Sequence, residues 1–219
     1  MTAPEGLDSG LGALAALTDG VRRAAYQAVL AAGARPVGRD EIAEALGVGR
    51  TLAAFHLDKL VDAGLLEVSY ARRNGRAGPG AGRPAKLYQA TAVEYAVSVP
   101  PRNYRTAAEL LAESVERSGA DTALFEVARE HGRRASPGGS VRDLLSSHGY
   151  VPEETPTGFQ LNNCPFHRLA EQFPPLVCGM NLALVSGLLD GAGASADWQA
   201  RMDATPGRCC VVVSKNNED

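Results

Sequence analysis

Between Arg39 and Gln89 the chain runs through two short helical stretches with a tight turn between them, then two strand-like stretches joined by a basic, glycine-rich loop. Few folds admit that order. The first stretch, Arg39 to Leu46, is followed by Gly47, a residue able to take the left-handed conformation in which helices end. Val48 and Gly49 leave room only for a tight turn before a second helix, predicted from about Arg50 to Ala63 and stopped by Gly64. At about 100° per residue, Ala53, Leu57, Leu60 and Val61 share one arc, which is the face to be buried. The opposite arc holds Thr51, Phe55, Asp58 and Asp62, with Leu52, Ala54 and Lys59 on its flanks.

Leu65 to Tyr70 and Ala85 to Gln89 are rich in aliphatic and aromatic residues and read as two strands. From Ala71 to Lys86 the chain carries Arg72, Arg73, Arg76, Arg83 and Lys86 and no acid, a local charge of +5 that leaves −8 for the remainder of a chain with net charge −3. Gly75, Gly78, Gly80, Gly82 and Pro79 keep this loop open, which suits a segment ordered by a partner. Helix, turn, helix and basic hairpin together make the pattern of a winged helix-turn-helix. In that arrangement the second helix lies in the major groove of double-stranded DNA. Arg50 and Thr51 then reach base edges or phosphate, and Phe55 meets a thymine methyl group. Gly82-Arg83-Pro84 suits a narrow minor groove, where arginine meets enhanced negative potential. The DNA-facing residues expected on the helix are Arg50, Thr51, Phe55 and Lys59; those on the hairpin are Arg72, Arg73, Arg76, Arg83 and Lys86. Phe55 has a second reading, as an aromatic residue that completes a small core.

Three segments carry a resemblance: Leu46-Gly47-Val48-Gly49-Arg50-Thr51, Phe55 to Leu66, and Gly82-Arg83-Pro84-Ala85-Lys86-Leu87-Tyr88. They are similar to winged-helix regulators related to the arsenical-repressor type, and most of all to the branch containing the iron-sulfur-sensing repressors of the Suf operon. The resemblance implies DNA binding over about residues 11–95 and sensing, less specifically, over 100–213. One departure concerns helix starts: the cap positions usually filled by Ser or Thr are Gly38 and Gly49.

At 219 residues the chain holds two modest domains more comfortably than one large one. The fold class is mainly α with α+β: an N-terminal winged helix-turn-helix and a C-terminal α+β sensor domain with a small antiparallel sheet. Small polar residues over 1–10 predict a disordered tail, residues 11–95 the DNA-binding domain, 96–103 a linker around Val99-Pro100-Pro101, 104–213 the sensor and dimerisation domain, and 214–219 a second tail. No apolar run approaches the roughly 20 residues that span a bilayer, and the start lacks a signal-peptide pattern, so a cytoplasmic protein without membrane association is expected.

Within the first domain, Thr18-Asp19 offers a cap for a helix reaching about Ala32. Val21, Ala25 and Ala28 are placed against the recognition helix, and Tyr26, Val29 and Leu30 are left to a second subunit or to the same core. In the second domain, helical spacing recurs through Tyr104, Ala107, Leu111 and Val115 and again through Ala123, Leu124, Val127 and Ala128. These small-residue faces suit either a homodimer seam or an intramolecular hairpin. A short helix over Val141 to His148 follows, then a hairpin pairing Gly149-Tyr150-Val151 with Phe159-Gln160-Leu161. A helix pair spans Pro165 to Gln172 and about Pro175 to Leu189, and Val211 to Val213 forms a last strand.

Four cysteines in a reducing compartment are free thiols or metal ligands rather than disulfides. Cys164 precedes Pro165 at a helix start and Cys178 lies in the opening turns of the next helix, placements that favour the metal-binding thiolate. Cys209 and Cys210, taken as adjacent strand residues, point to opposite faces, so one of them is expected to join a given site. His167 is available as a fourth ligand. Cys164 and Cys178, with thirteen residues between them, resemble two cluster ligands of the Suf repressors, with Cys209 or Cys210 resembling the last. Those repressors carry a further cysteine just upstream, where this chain has Leu161, Asn162 and Asn163. The resemblance therefore implies an iron-sulfur cluster with an incomplete thiolate set. Zinc with three cysteines and a histidine is the alternative. Buried structural thiols are the third reading.

The function expected is a dimeric, sequence-specific DNA-binding repressor whose C-terminal domain senses redox or iron-sulfur status. Its alternatives are a winged-helix regulator with structural thiols and an unidentified small-molecule effector, a winged helix used for protein contacts, and a thiol enzyme using Cys164 with His167. The enzyme lacks an orienting carboxylate and an evident oxyanion site.

Overall fold

The computed structural model describes residues 5–71, 84–100, 102–136, 139–205 and 208–216. The chain divides into two compact units, Met1–Arg102 and Asn103–Asp219. The first contains α1 (Glu5–Ala16), α2 (Gly20–Ala31), β1 (Val37–Gly38), α3 (Arg39–Leu46), α4 (Arg50–Asp62), β2 (Leu66–Ala71) and β3 (Ala85–Ala90).

Its centre is the inner face of α4, where Ala53, Leu57 and Leu60 are fully buried among Ala25, Val29, Ile42, Leu66 and Tyr88. Gly47 ends α3 at φ 63°, a left-handed value that no other residue type adopts cheaply, and so makes the turn into α4 sharp. Neither Gly38 nor Gly49 supplies a side-chain cap to α3 or α4, whereas Asp19 caps α2 by accepting the Arg22 N–H at 2.9 Å. Strands β2 and β3 pair antiparallel from Leu66↔Ala90 to Ala71↔Ala85, so the two chains of the hairpin leave the core together at its root.

Several expectations change. Helix α1 starts at Glu5, inside the stretch 1–10 expected as a tail, because the leucine spacing of 11–17 extends one helix back through Gly10 and buries Ala13 and Ala16. Val29 belongs to the core rather than to a free face, while Val21 is exposed; α2 is rotated so that Ala25 and Val29 meet α4. Strand β1 was not legible, since two residues carry no period; it exists only by pairing Val37↔Tyr88 and Gly38↔Leu87 on the outer edge of β3.

The second unit contains α5 (Tyr104–Ser118), α6 (Asp121–Arg134), α7 (Val141–Ser147), β4 (Pro152–Thr155), β5 (Gly158–Leu161), α8 (His167–Gln172), α9 (Pro174–Gly191), β6 (Trp198–Met202) and β7 (Val211–Lys215). The four strands form one antiparallel sheet in the order β4-β5-β7-β6. Strand β4 begins at Pro152 rather than at Gly149, because the tight Pro156-Thr157 connection fixes the register Thr155↔Gly158 to Pro152↔Leu161. Strand β6 escaped the pattern because Gln199 and Arg201 interrupt its apolar residues; it is held at the sheet edge by β7, with Trp198 stacked on Phe159 at 5.3 Å.

Helix α9 packs along α6 so closely that a Cβ on Gly187 would lie 2.0 Å from the Arg129 carbonyl oxygen. The α6 small-residue face is thus used inside the unit, through Ala128 and Gly132. Tyr104, Leu110 and Leu111 of α5 remain exposed.

Leu57→Ala is expected to lower unfolding free energy by about 2–5 kcal/mol, as a buried leucine lost from a packed core. Phe55→Ala, at a site that is 51% exposed, should change it by no more than about 0.5 kcal/mol. Urea unfolding of both variants checks this. Gly187→Ala forces a backbone clash and should cost at least about 1–3 kcal/mol, read as a fall in melting temperature.

Candidate nucleic-acid interface and cysteine cluster

With the inner face of α4 fixed in the core, its outer arc presents Thr51 and Phe55 to solvent, flanked by Arg50 and Lys59. Phe55 is exposed, its ring edge-on to the buried His56 at 5.3 Å, and is not a core residue. His56 itself was missed: it is 5% exposed, with Nδ1 3.9 Å from the Asp19 carboxylate that caps α2. No hydrophobic period marks a buried histidine.

Lys86 projects from the root of the hairpin toward α4 and donates to Asp58 at 2.6 Å; Tyr88 donates to the same oxygen at 2.8 Å. The Lys86 ammonium also lies 5.2 Å from the centre of the Tyr88 ring. These contacts tie the helix to the hairpin. Burial pushes the Asp58 carboxyl up, but the hydrogen bonds from Lys86 and Tyr88 and the Lys86 charge outweigh it, and its pKa sits below the ordinary value. Burial and the neighbouring carboxylate hold the Tyr88 hydroxyl in its protonated form. Between α4 and the strands lies a groove of about 530 Å³ lined by Arg39, Asp40, Arg50, Asp58, Tyr70 and Lys86, among others. At one end Arg50 pairs with Asp40: Nη2 donates to Oδ2 at 3.1 Å and Nε lies 2.7 Å from Oδ1, with Arg39 Nε 3.8 Å from the same oxygen. Lys59 pairs with Asp62 at 3.1 Å. The expected contacts Arg72, Arg73, Arg76 and Arg83 lie outside the described residues.

A helix-turn-helix domain model matches residues 17–69. No curated protein and no solved structure matches the chain. The N-terminal unit is a helix-turn-helix domain of the winged-helix regulator type. Such a domain points to a transcription regulator rather than an enzyme. The match ends at Ser69, before every cysteine. None of the described helices is long and apolar enough to cross a membrane.

In the second unit the cysteines are linked pairwise. The Cys164 thiol donates to the Cys209 sulfur, Cys210 contacts both Cys209 and Cys178, and Asn181 Nδ2 donates to Cys209 at 3.3 Å. Asn181 is fully buried in the apolar helix α9, and its carbonyl oxygen accepts from the Tyr150 hydroxyl. Both its polar ends are therefore satisfied, as burial of an amide requires.

Two sequence expectations are corrected here. Cys164 does receive the Phe166 backbone N–H, yet the bond to Cys209 and burial outweigh it and push its pKa up; the thiolate is favoured at Cys209 instead, chiefly by the Cys164 hydrogen bond. Cys209 and Cys210 precede β7 rather than lying on it, so strand alternation does not separate them and both sulfurs reach the same cluster. His167 is mostly exposed and sits 3.4 Å from Glu171, on the surface of α8. Among the described residues, no group of three or more His, Cys, Asp or Glu side chains is arranged to hold a metal ion.

Because the folded pKa of Asp58 is depressed, its contribution to stability is present at neutral pH and is lost as pH falls through the folded value, below the ordinary 3.8. The stability gap between wild type and Asp58→Asn should be widest near pH 7 and close on acidification below about pH 4, measured by urea unfolding across that range.

Proposed function

We propose that the chain is a homodimeric transcriptional repressor. Its helix-turn-helix unit binds double-stranded operator DNA, and its C-terminal unit senses redox or iron-sulfur status through Cys164, Cys178, Cys209 and Cys210. The observation that carries the DNA half is the outward arc of α4: with Ala53, Leu57 and Leu60 buried, exposed Thr51 and Phe55 stand on the same helix as Arg50 and Lys59, and Lys86 reaches that helix from β3. An exposed aromatic on a helix between cationic side chains fits a groove lined by base edges and phosphates better than it fits water.

The sensing half rests on the likeness to the Suf repressors and on sulfur chemistry. Cys164 and Cys210 both interact with Cys209, and Cys178 with Cys210; thiols are the donors that iron-sulfur and zinc take, and an iron-sulfur cluster would supply one-electron redox chemistry, but among the described residues these pairs do not converge into a set of three or more metal donors. Asn181 orients the Cys209 sulfur by donating to it, and Tyr150 fixes the amide that does so. A second reading, structural thiols beside an unidentified effector, is favoured by the pairwise arrangement of the sulfurs and by the outward position of His167.

Arg83→Ala is expected to weaken binding to genomic fragments more than Arg105→Ala does, and to reduce the salt dependence by about 0.9 of log-log slope if one phosphate contact is lost. Titrations at several salt concentrations read both quantities, and equal affinity of wild type and Arg83→Ala would remove the hairpin from the mechanism. For the sensor, anaerobically purified protein should carry iron or zinc, and Cys164→Ser and Cys178→Ser should each lose it. A regulatory cofactor should change operator affinity by about 5- to 150-fold. Metal-free wild-type protein leaves the structural-thiol reading.

A further inference from the structure

The four cysteines are free thiols, and their side chains meet as a chain of contacts: Cys164 with Cys209, Cys209 with Cys210, and Cys210 with Cys178. Backbone and amide bonds hold the elements that bring them together. The Cys209 N–H donates to the Leu161 carbonyl at 2.9 Å, which sets the segment before β7 beside the end of β5, three residues before Cys164. Cys178 and Asn181 lie about one turn apart on α9, and Asn181 donates to the Cys209 sulfur at 3.3 Å. Cys164 and Cys210 pack against the hydrophobic core that contains Cys209. Four cysteines can be joined in three ways. Of these, Cys164 with Cys209 and Cys178 with Cys210 is the pairing that forms both bonds between side chains already in the contacts just named. Each pair also has a member that solvent reaches, since Cys164, Cys178 and Cys210 are partly exposed while Cys209 is buried.

We propose that these are two dithiol sites, Cys164 with Cys209 and Cys178 with Cys210, each of which closes to a disulfide when oxidised by a hydroperoxide. This rests on the reading above that the C-terminal unit senses redox status, and it gives that sensing to the thiols themselves. In each pair one sulfur attacks the peroxide O–O bond and becomes a sulfenic acid, while the second peroxide oxygen leaves as water. The partner sulfur then attacks the sulfenic sulfur. The S–S bond forms, the S–O bond breaks, and the hydroxyl departs as water with the partner's thiol proton. Two thiols thereby lose two electrons, and one molecule of hydrogen peroxide becomes two of water. A partner already in contact makes the second step intramolecular, so the sulfenic acid is resolved before it is oxidised further. Sulfurs that meet two by two are what a disulfide requires, whereas a metal ion requires three or more donors converging on one point, which the described residues do not provide. Oxidation would also be felt beyond the sulfurs. Cys209 accepts from Asn181, whose carbonyl accepts from Tyr150, so closing the first pair acts on a buried amide and phenol, and closing the second ties α9 to the segment before β7.

The full chain, purified anaerobically in reductant and assayed for iron and zinc, is titrated with hydrogen peroxide after the reductant is removed. Free thiols are counted, and disulfides are located by mass spectrometry of a non-reduced digest. Wild type is expected to lose all four thiols to about two equivalents of peroxide, to show the two stated links within one chain, and to recover its thiols with dithiothreitol. Cys164→Ser and Cys178→Ser should each lose two thiols and keep the link of the other pair; if either variant misfolds, the wild-type map decides. Other connectivities, links between chains, sulfinic acid on unlinked cysteines, or thiols that survive excess peroxide overturn the inference. Affinity for genomic DNA fragments, measured on the reduced and oxidised forms, separates this result from the wider reading. If the stated links form and affinity follows neither oxidation nor metal content, the sensing reading fails and the dithiol chemistry stands. If bound iron or zinc shields the thiols and its removal changes affinity, the inference fails and the sensing reading stands.

Discussion

Burial of one face of α4 is the constraint on which the N-terminal unit depends. Ala53, Leu57 and Leu60 have no exposed surface, and they share one core with residues of α2, α3 and the β-sheet. Because a helix is rigid, fixing its inner face fixes its outer one to within a few degrees of rotation. Thr51 and Phe55 are therefore aimed outward by the leucines on the opposite face. The sharp turn at Gly47 adds the second angle, setting α4 against α3.

Electrostatics then finishes what packing begins. Asp58 lies on the outer arc of α4 yet is half buried, because Lys86 and Tyr88 reach it from β3. Tyr88 is at once a core residue, 2% exposed, and the donor at the end of that contact, so the hydrophobic core and the basic groove share a side chain. Disturbing Tyr88 would shift the helix and the hairpin relative to each other as well as loosen the core.

The C-terminal unit solves a different problem. Its longest helix, α9, is apolar on nearly every side, and glycine lets it lie against α6 at backbone distance. Into that apolar surface the chain sets Asn181, whose two polar ends are satisfied by Tyr150 and Cys209. A buried amide so placed fixes both the phenol and the sulfur. Thiolate character collects at Cys209, which accepts from several donors, rather than at the cysteines nearest helix starts.

The sequence by itself determined the helices α3 and α4, their glycine stops, the buried stripe of α4 and its outward Phe55, because helical periodicity and chain punctuation are local properties. It also determined that an acid-free basic loop follows, since composition needs no coordinates. Only the tertiary structure decided what depends on distant pairing. Strand β1 exists through Tyr88 and Leu87, fifty residues away, and carries no period of its own. The partners of Arg50 and Lys86 sit on other elements, ten and twenty-eight residues distant, where spacing on one helix is silent. Cys209 and Cys210 fall just outside β7, so the rule that neighbouring strand residues face apart did not apply, and their meeting with Cys164 and Cys178 follows from how β7, α9 and the loop before α8 pack. Periodicity reports which face of an element is buried; it does not report which side chain from elsewhere will arrive there.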